Sequence, residues 1–351
     1  MCRTSSWQSE TIVRVGASTA RVGIIEDRGE RGSFFSNPRR KPMKTVAPFL
    51  AVLVLVGSGC IHGDRGGSRN LFGEPLGRPP LDWAQEAKLT RALQRAEEAW
   101  RAEPTNVDRI VWYGRHLAYV GRIEEAIDVY SRGLELHPGD PRLLRHRGHR
   151  FISIRRFDDA VRDLERAADE VRGRPDHVEQ DGLPNARGIP RSTLKSNIFY
   201  HLGLAYYLRR EFAAAQGAFV QELAEADLND DILVSAAYWL ALSAERQGRP
   251  LEADAALVPI HAGLDVIENR DYLDLCLMLK GERDPQALWR TAQAAPPIRC
   301  ATLGYGVGAF EALHGDVDRA LEIFQDVVAC ENPYAFGCIA AEVELAHCLD
   351  E

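Results

Sequence analysis

The chain has 351 residues, 45% hydrophobic and 27% charged, with a formal charge of −8. That is globular composition with enough apolar material for a continuous core, which excludes a disordered or collagen-like chain. Nine Lys/Arg and four Asp/Glu precede residue 60, leaving 34 basic and 47 acidic residues downstream. An acidic body argues against general nucleic-acid affinity, which rests on neutralising phosphates, and still allows a local basic groove.

Residues 1–42 show no hydrophobic periodicity and read as an unstructured extension upstream of Met43-Lys44, where a conventional signal peptide would start. The run TVAPFLAVLVLV (45–56) falls short of the ~20 residues needed to span a bilayer. Arg39, Arg40, Lys41 and Lys44 precede it, and Gly57, Ser58 and Gly59 follow, the order of a secretory signal over 43–60. The end of this segment, VGSGC, resembles the lipobox of bacterial lipoproteins, departing from it at Gly57 where Leu is usual. The resemblance implies that Cys60 is lipidated and becomes the mature N-terminus. With Ile61 next, it implies a location in the cell envelope, lipid-anchored at the outer membrane and facing the periplasm. Residues 61–81 are rich in Gly, Pro and Arg and read as a flexible linker.

From residue 82 a pattern recurs: a small residue, an alanine twelve later, and a bulky residue four beyond. It appears as Gly114/Ala126/Tyr130, Gly148/Ala160/Leu164, Gly203/Ala215/Phe219, Ala241/Ala253/Leu257 and Gly308/Ala320/Phe324. The first two lie 34 residues apart, the tetratricopeptide period. Leu275, Gly281 and Ala287 give a degenerate unit in the gap, and the run LDWAQEAKLTRALQRAEEAWRAEP (81–104) reads as a lone second helix closed by Pro104. Two antiparallel helices approach closely only where small residues face each other, and the bulky residue fills the space beyond.

The units VDRIVWYGRHLAYVGRIEEAIDVYSRGLELHP and SNIFYHLGLAYYLRREFAAAQGAF therefore resemble tetratricopeptide repeats, and the likeness extends over about 83–350. It implies an all-α fold, a right-handed α-solenoid of antiparallel helix pairs with about six repeats plus terminal helices, occupying 82–351. One position resists: Arg147 stands where the family buries Leu, so Asp159 or Asp163 is expected to pair with it, unless the register slips locally.

Between the second and third repeats the phase breaks at RPDHVEQDGLPNARGIPRSTL (174–194), an insertion with three prolines that reads as either a folded lid or a surface loop. Family positions that line the concave face map onto Arg115, Arg145, His149, Asn197, Tyr200, Tyr207 and Tyr238. A basic and aromatic groove of this kind would hold a protein or peptide partner with an acidic or C-terminal carboxylate group. The alternatives are a small anionic ligand or glycan enclosed by the insertion, and an ordinary solvated inner face. No zinc-protease, phosphate-loop or nucleophile-elbow motif occurs, so a non-catalytic scaffold with no cofactor and no metal is expected. Five cysteines follow Cys60 (Cys276, Cys300, Cys330, Cys338 and Cys348), available either for one or two disulfides or as small buried hydrophobes.

Overall fold

The computed structural model describes Val13–Val15, Ser18–Ala20 and residues 67–79, 81–180 and 182–350. The segment read as signal peptide, with Cys60, lies outside them. Two short strands, β1 (Val13–Val15) and β2 (Ser18–Ala20), pair antiparallel within the stretch read as an upstream extension. Everything regular after residue 82 is helical: α1 (Trp83–Ala102), α2 (Val107–Tyr119), α3 (Ile123–Leu136), α4 (Pro141–Ser153), α5 (Phe157–Val171), α6 (Leu194–Leu208) and α7 (Phe212–Glu225). The series continues with α8 (Asp230–Glu245), α9 (Pro250–Leu257), α10 (Arg270–Leu279), α11 (Pro285–Gln293), α12 (Pro297–Leu313), α13 (Val317–Val328) and α14 (Phe336–Asp350). None of these helices is long and apolar enough to cross a membrane.

Local chemistry sets the helix starts. Asn106, Asp140, Asn229 and Asp284 each accept hydrogen bonds from two orphan amides of the following turn, and Asp82 and Thr193 build reciprocal capping boxes. Pro141 and Pro285 sit in the first turn, where no amide hydrogen bond is lost.

The helices pack as an all-α solenoid: α2 pairs with α3, α4 with α5, α6 with α7, α8 with α9 and α12 with α13, while α10 packs on α8 and α12, and α11 on α12. The small-residue positions explain the pairing. A Cβ added at Gly203 would lie 2.5 Å from the Phe219 ring, at Gly148 2.7 Å from Leu164, and at Gly308 2.6 Å from Phe324. Ala126, Ala160, Ala215 and Ala320 are buried beneath these crossings. The degenerate unit expected near residue 275 falls on the short helices α10 and α11, which pack on their neighbours α8 and α12 rather than on each other, and α1 packs on α2 ahead of the first pair. Arg147 keeps its register and meets Asp163 through two parallel bonds, Nε to Oδ2 at 2.6 Å and Nη2 to Oδ1 at 2.8 Å.

The array curls until its inner helices meet. The Tyr305 hydroxyl of α12 donates to that of Tyr207 in α6 at 2.8 Å, with Trp239 of α8 stacked on Tyr305. The closing helix α14 packs on α12, where Gly337 allows it against the backbone of Ala301. Its Glu342 and Glu344 turn inward. Glu342 meets Arg155, and Glu344 accepts from Arg246 at 2.5 Å and Arg210 at 3.1 Å. The region read as a flexible linker lies against the array over its described part: the Leu71 amide donates to Glu342 and Ser68 bonds Glu124. Beyond α6, then, the inner face is core rather than groove.

Candidate functional site

What remains open on the inner face belongs to α2 and α4, where the insertion covers it. The stem of the insertion is a short antiparallel bridge between Val178 and Thr193, closed by Glu179 N–H to Ser192 O at 3.0 Å and Leu194 N–H to His177 O at 2.8 Å. Gly182 then passes so close to the Tyr119 hydroxyl that a side chain there would clash. Beneath the stem lies a cavity of about 610 Å³, lined among others by Trp112, Arg115, Arg142, Arg174, His177 and Glu179.

Cations outnumber anions in this cleft: Arg109, Arg115, Arg142 and Arg174 line it against Asp108 and Glu179. Arg115 lies over the Trp112 ring at 4.6 Å, and its Nη1 donates to the Gln180 carbonyl at 2.8 Å. Arg145 is 7% exposed and donates through Nη2 to Glu179 Oε2 at 2.6 Å, where Asn197 Nδ2 also donates at 2.5 Å. Arg150 is next. The groups acting most on its charge are Tyr130, Tyr119, Arg145 and Arg115, none of them a carboxylate. Burial, reinforced by the two arginines, pulls its guanidinium down to about 10.

Three histidines complete the surface. Arg145 Nη1 lies 2.8 Å from His146 Nδ1. Arginine can only donate, so Nδ1 accepts and the neutral ring carries its proton on Nε2. That nitrogen points at Glu179 Oε1 from 3.8 Å. The rings of His149 and His201 lie 4.2 Å apart, tilted by 37°, and both pack against Phe336. Burial, aided by Arg145 and Arg150, holds His146 and His149 well below the usual imidazole range and takes His201 to about 3. All three are neutral at pH 7, which leaves the guanidinium groups as the cations.

Of the residues expected on one concave face, Arg115, Arg145, His149 and Asn197 come together in or beside this cleft. Tyr200, Tyr207 and Tyr238 do not line an open groove. The Tyr200 hydroxyl meets that of Tyr272 at 2.7 Å, Tyr207 is bonded to Tyr305, and Tyr238 is packed between Trp239 and Tyr272. The tight curl buries Tyr207 and Tyr238 and leaves Tyr200 half-buried. Sequence reasoning passed over Arg150, His201 and Glu179, and took His146 only as an i,i+3 neighbour of His149 that lacks a metal-ligating companion. A signal was present for Arg150: the stretch RLLRHRGHR in α4 holds no acid, so a counter-charge for its later half has to come from another element. Among the described residues no group of three His, Cys, Asp or Glu side chains is placed to hold a metal ion.

A tetratricopeptide repeat family model matches residues 84–146, which covers α1, α2, α3 and the start of α4. No curated protein matches the chain. Among solved structures the chain is similar to MamA AMB-1, with 20% identity over 49% of this chain and 88% of that one and a TM-score of 0.36. It is also similar to YrrB, described as a TPR protein with an unusual peptide-binding site, with 14% identity over 71% of this chain and 98% of that one and a TM-score of 0.37. A tetratricopeptide repeat protein from Parabacteroides merdae ATCC 43184 is 15% identical over 76% of this chain and 95% of that one, with a TM-score of 0.44. At these identities and scores the likenesses carry nothing about function.

Proposed function

We propose that the chain is a lipid-anchored, non-catalytic repeat protein that holds an acidic segment or free C-terminus of a protein partner in the cleft between α2, α4 and the insertion. The observation that carries this reading is the charge of the cleft. Arg109, Arg115, Arg142 and Arg174 line it against Asp108 and Glu179 on a chain of net charge −8, with Arg145 bonded to Glu179 at its edge and Arg150 acting electrostatically on Arg145 and Arg115. Guanidinium groups recognise carboxylates through paired, charge-assisted hydrogen bonds, and Trp112 supplies a flat apolar wall at little entropic cost. No chemistry is required of the site.

Anchoring through Cys60, in the envelope and facing the periplasm, completes the proposal. The lipobox-like sequence motivates it, and the Cys300–Cys330 disulfide, which ties the start of α12 to the end of α13, suits an oxidising compartment. Membrane attachment would keep the cleft near partners of the same envelope.

The test is binding of a panel of fluorescein-labelled tetrapeptides rich in Asp and Glu, made with free and with amidated C-termini. The full chain in detergent should bind members of the panel and prefer free carboxylates. Arg115→Ala with Arg174→Ala should weaken binding at least tenfold; undiminished affinity would remove the cleft from the account. A second reading, a small anionic ligand or glycan, is favoured by one observation: the insertion walls the cleft to a cavity of about 610 Å³, a size typical of small-molecule sites. Saturation by a free sugar acid, with no binding of any peptide, would select it.

A further inference from the structure

We propose that Glu179 is a resident surrogate for the partner's carboxylate, and that binding exchanges the one for the other. This rests on the reading of the cleft as a carboxylate-binding site.

The position of Glu179 carries the argument. Its carboxylate occupies a socket made by Arg145, Asn197 and His146, the first two of which the sequence marks as partner-binding positions. It enters that socket from the insertion, an element outside the repeat pattern. Each repeat can bury its own charges locally, as Arg147 does with Asp163 inside the second. Arg145 instead takes its counter-ion from a segment added to the array.

Glu179 also leaves the socket partly unfilled. His146 Nε2 stops 3.8 Å from its Oε1, too far for a hydrogen bond, and Arg145 Nε has no partner among the described residues. Both belong to side chains more than nine-tenths buried. A free carboxylate is not tied to a backbone stem and can settle to meet donors that Glu179 only approaches.

Exchange requires little movement. Glu179 lines both the socket and the adjoining cavity of about 610 Å³, so a change of rotamer swings its carboxylate toward Arg115 and Arg174. The stem bonds, Glu179 N–H to Ser192 O and Leu194 N–H to His177 O, stay intact throughout. An internal competitor lowers the apparent affinity by the fraction of time it holds the socket. Partners with one weak carboxylate are thereby rejected, and only a ligand that fills the remaining donors displaces the resident group.

The experiment compares the peptide panel on the full chain and on Glu179→Gln, which keeps the size and polarity of the side chain and removes its charge. The surrogate account predicts at least tenfold tighter binding of free-carboxylate peptides by Glu179→Gln, a gain abolished by adding Arg145→Ala. Should Glu179→Gln fold poorly, Glu179→Ala replaces it, and millimolar acetate should then raise its melting temperature without affecting the Arg145→Ala/Glu179→Ala pair. Equal or weaker binding by Glu179→Gln, with the unaltered chain still binding, overturns the surrogate role and leaves the cleft reading standing. Failure of every variant to bind any peptide, with no acetate effect, overturns both.

Discussion

Arg155 grips Glu342 across 187 residues of sequence: its Nε donates to Oε2 at 3.0 Å while Nη2 bonds Oε1, and both side chains are almost wholly enclosed. Arg155 stands where other repeats place glycine. Gly121, Gly248, Gly281 and Gly315 take the left-handed turn between consecutive helices, and Arg155 and Arg210 adopt the same conformation with φ of 63° and 62°. A side chain there costs roughly 1–2 kcal/mol. Both arginines reach carboxylates of α14, Arg210 through Glu344, which Arg246 also bonds, so the turn's conformational cost is offset by the closure of the curl.

Removal of Glu342 leaves Arg155 buried without a counter-charge. Glu342→Ala should destabilise the chain by about 3–5 kcal/mol in urea denaturation. Arg155→Gly strands Glu342 in turn but relaxes the turn, so it should be milder than Arg155→Ala by about 1 kcal/mol. A loss below about 1 kcal/mol for Glu342→Ala would mean that the curl is closed by something else.

Two glycines on neighbouring helices should respond in opposite directions to the same change. Gly203→Ala drives a methyl into the Phe219 ring and should cost about 1–3 kcal/mol. Gly217, exposed within α7, has no atom within 4 Å of its added Cβ, and Gly217→Ala should stabilise by roughly 0.5–1 kcal/mol through helix propensity. Equal effects at the two sites would contradict the packing described for the repeat.

The histidine cluster makes stability depend on pH. In the unfolded chain these rings take up protons as pH falls through about 6.5, whereas burial keeps His146, His149 and His201 neutral when folded. The unfolded state then binds more protons, so stability drops as pH falls below 6.5. Glu222 opposes this: burial raises its carboxyl, so the folded state holds a proton that the unfolded state releases above about 4.5. The net difference of about two protons gives a slope of roughly 3 kcal/mol per pH unit between pH 5 and 6. Urea midpoints at these two pH values should rise with pH, and His201→Gln should flatten the slope by about one proton. Midpoints that stay level would count against the buried neutral cluster.

The repeat was legible because its physics is local and periodic. Gly114, Ala126 and Tyr130 recur with one spacing, and each unit buries the same contact; the pairing of Arg147 with Asp163 followed from the cost of a lone buried charge. The curl was not legible. Whether Tyr207 faces solvent or Tyr305 depends on small rotations accumulated over repeats, and no short window of sequence encodes that sum. Glu179 stayed hidden for a related reason: it lies in an aperiodic insertion whose path is set by single contacts, such as Gly182 on Tyr119. The arginines that needed a partner were visible, but the partner was not.

Anchoring is tested by fractionation. Cys60→Ala removes the thiol that would carry the acyl chains, and two or three chains are what make such attachment stable. The variant should appear in the soluble fraction, whereas the unaltered chain should sediment with membranes. Continued sedimentation of Cys60→Ala would remove lipidation from the account.

The most direct measurement of where the chain binds is hydrogen exchange with and without a saturating free-carboxylate peptide. Protection is expected to concentrate in α2, α4 and residues 176–194, with exchange in α8 through α13 unchanged. Protection centred on α8 through α13, around Tyr238 and Tyr305, would contradict the assignment of the cleft.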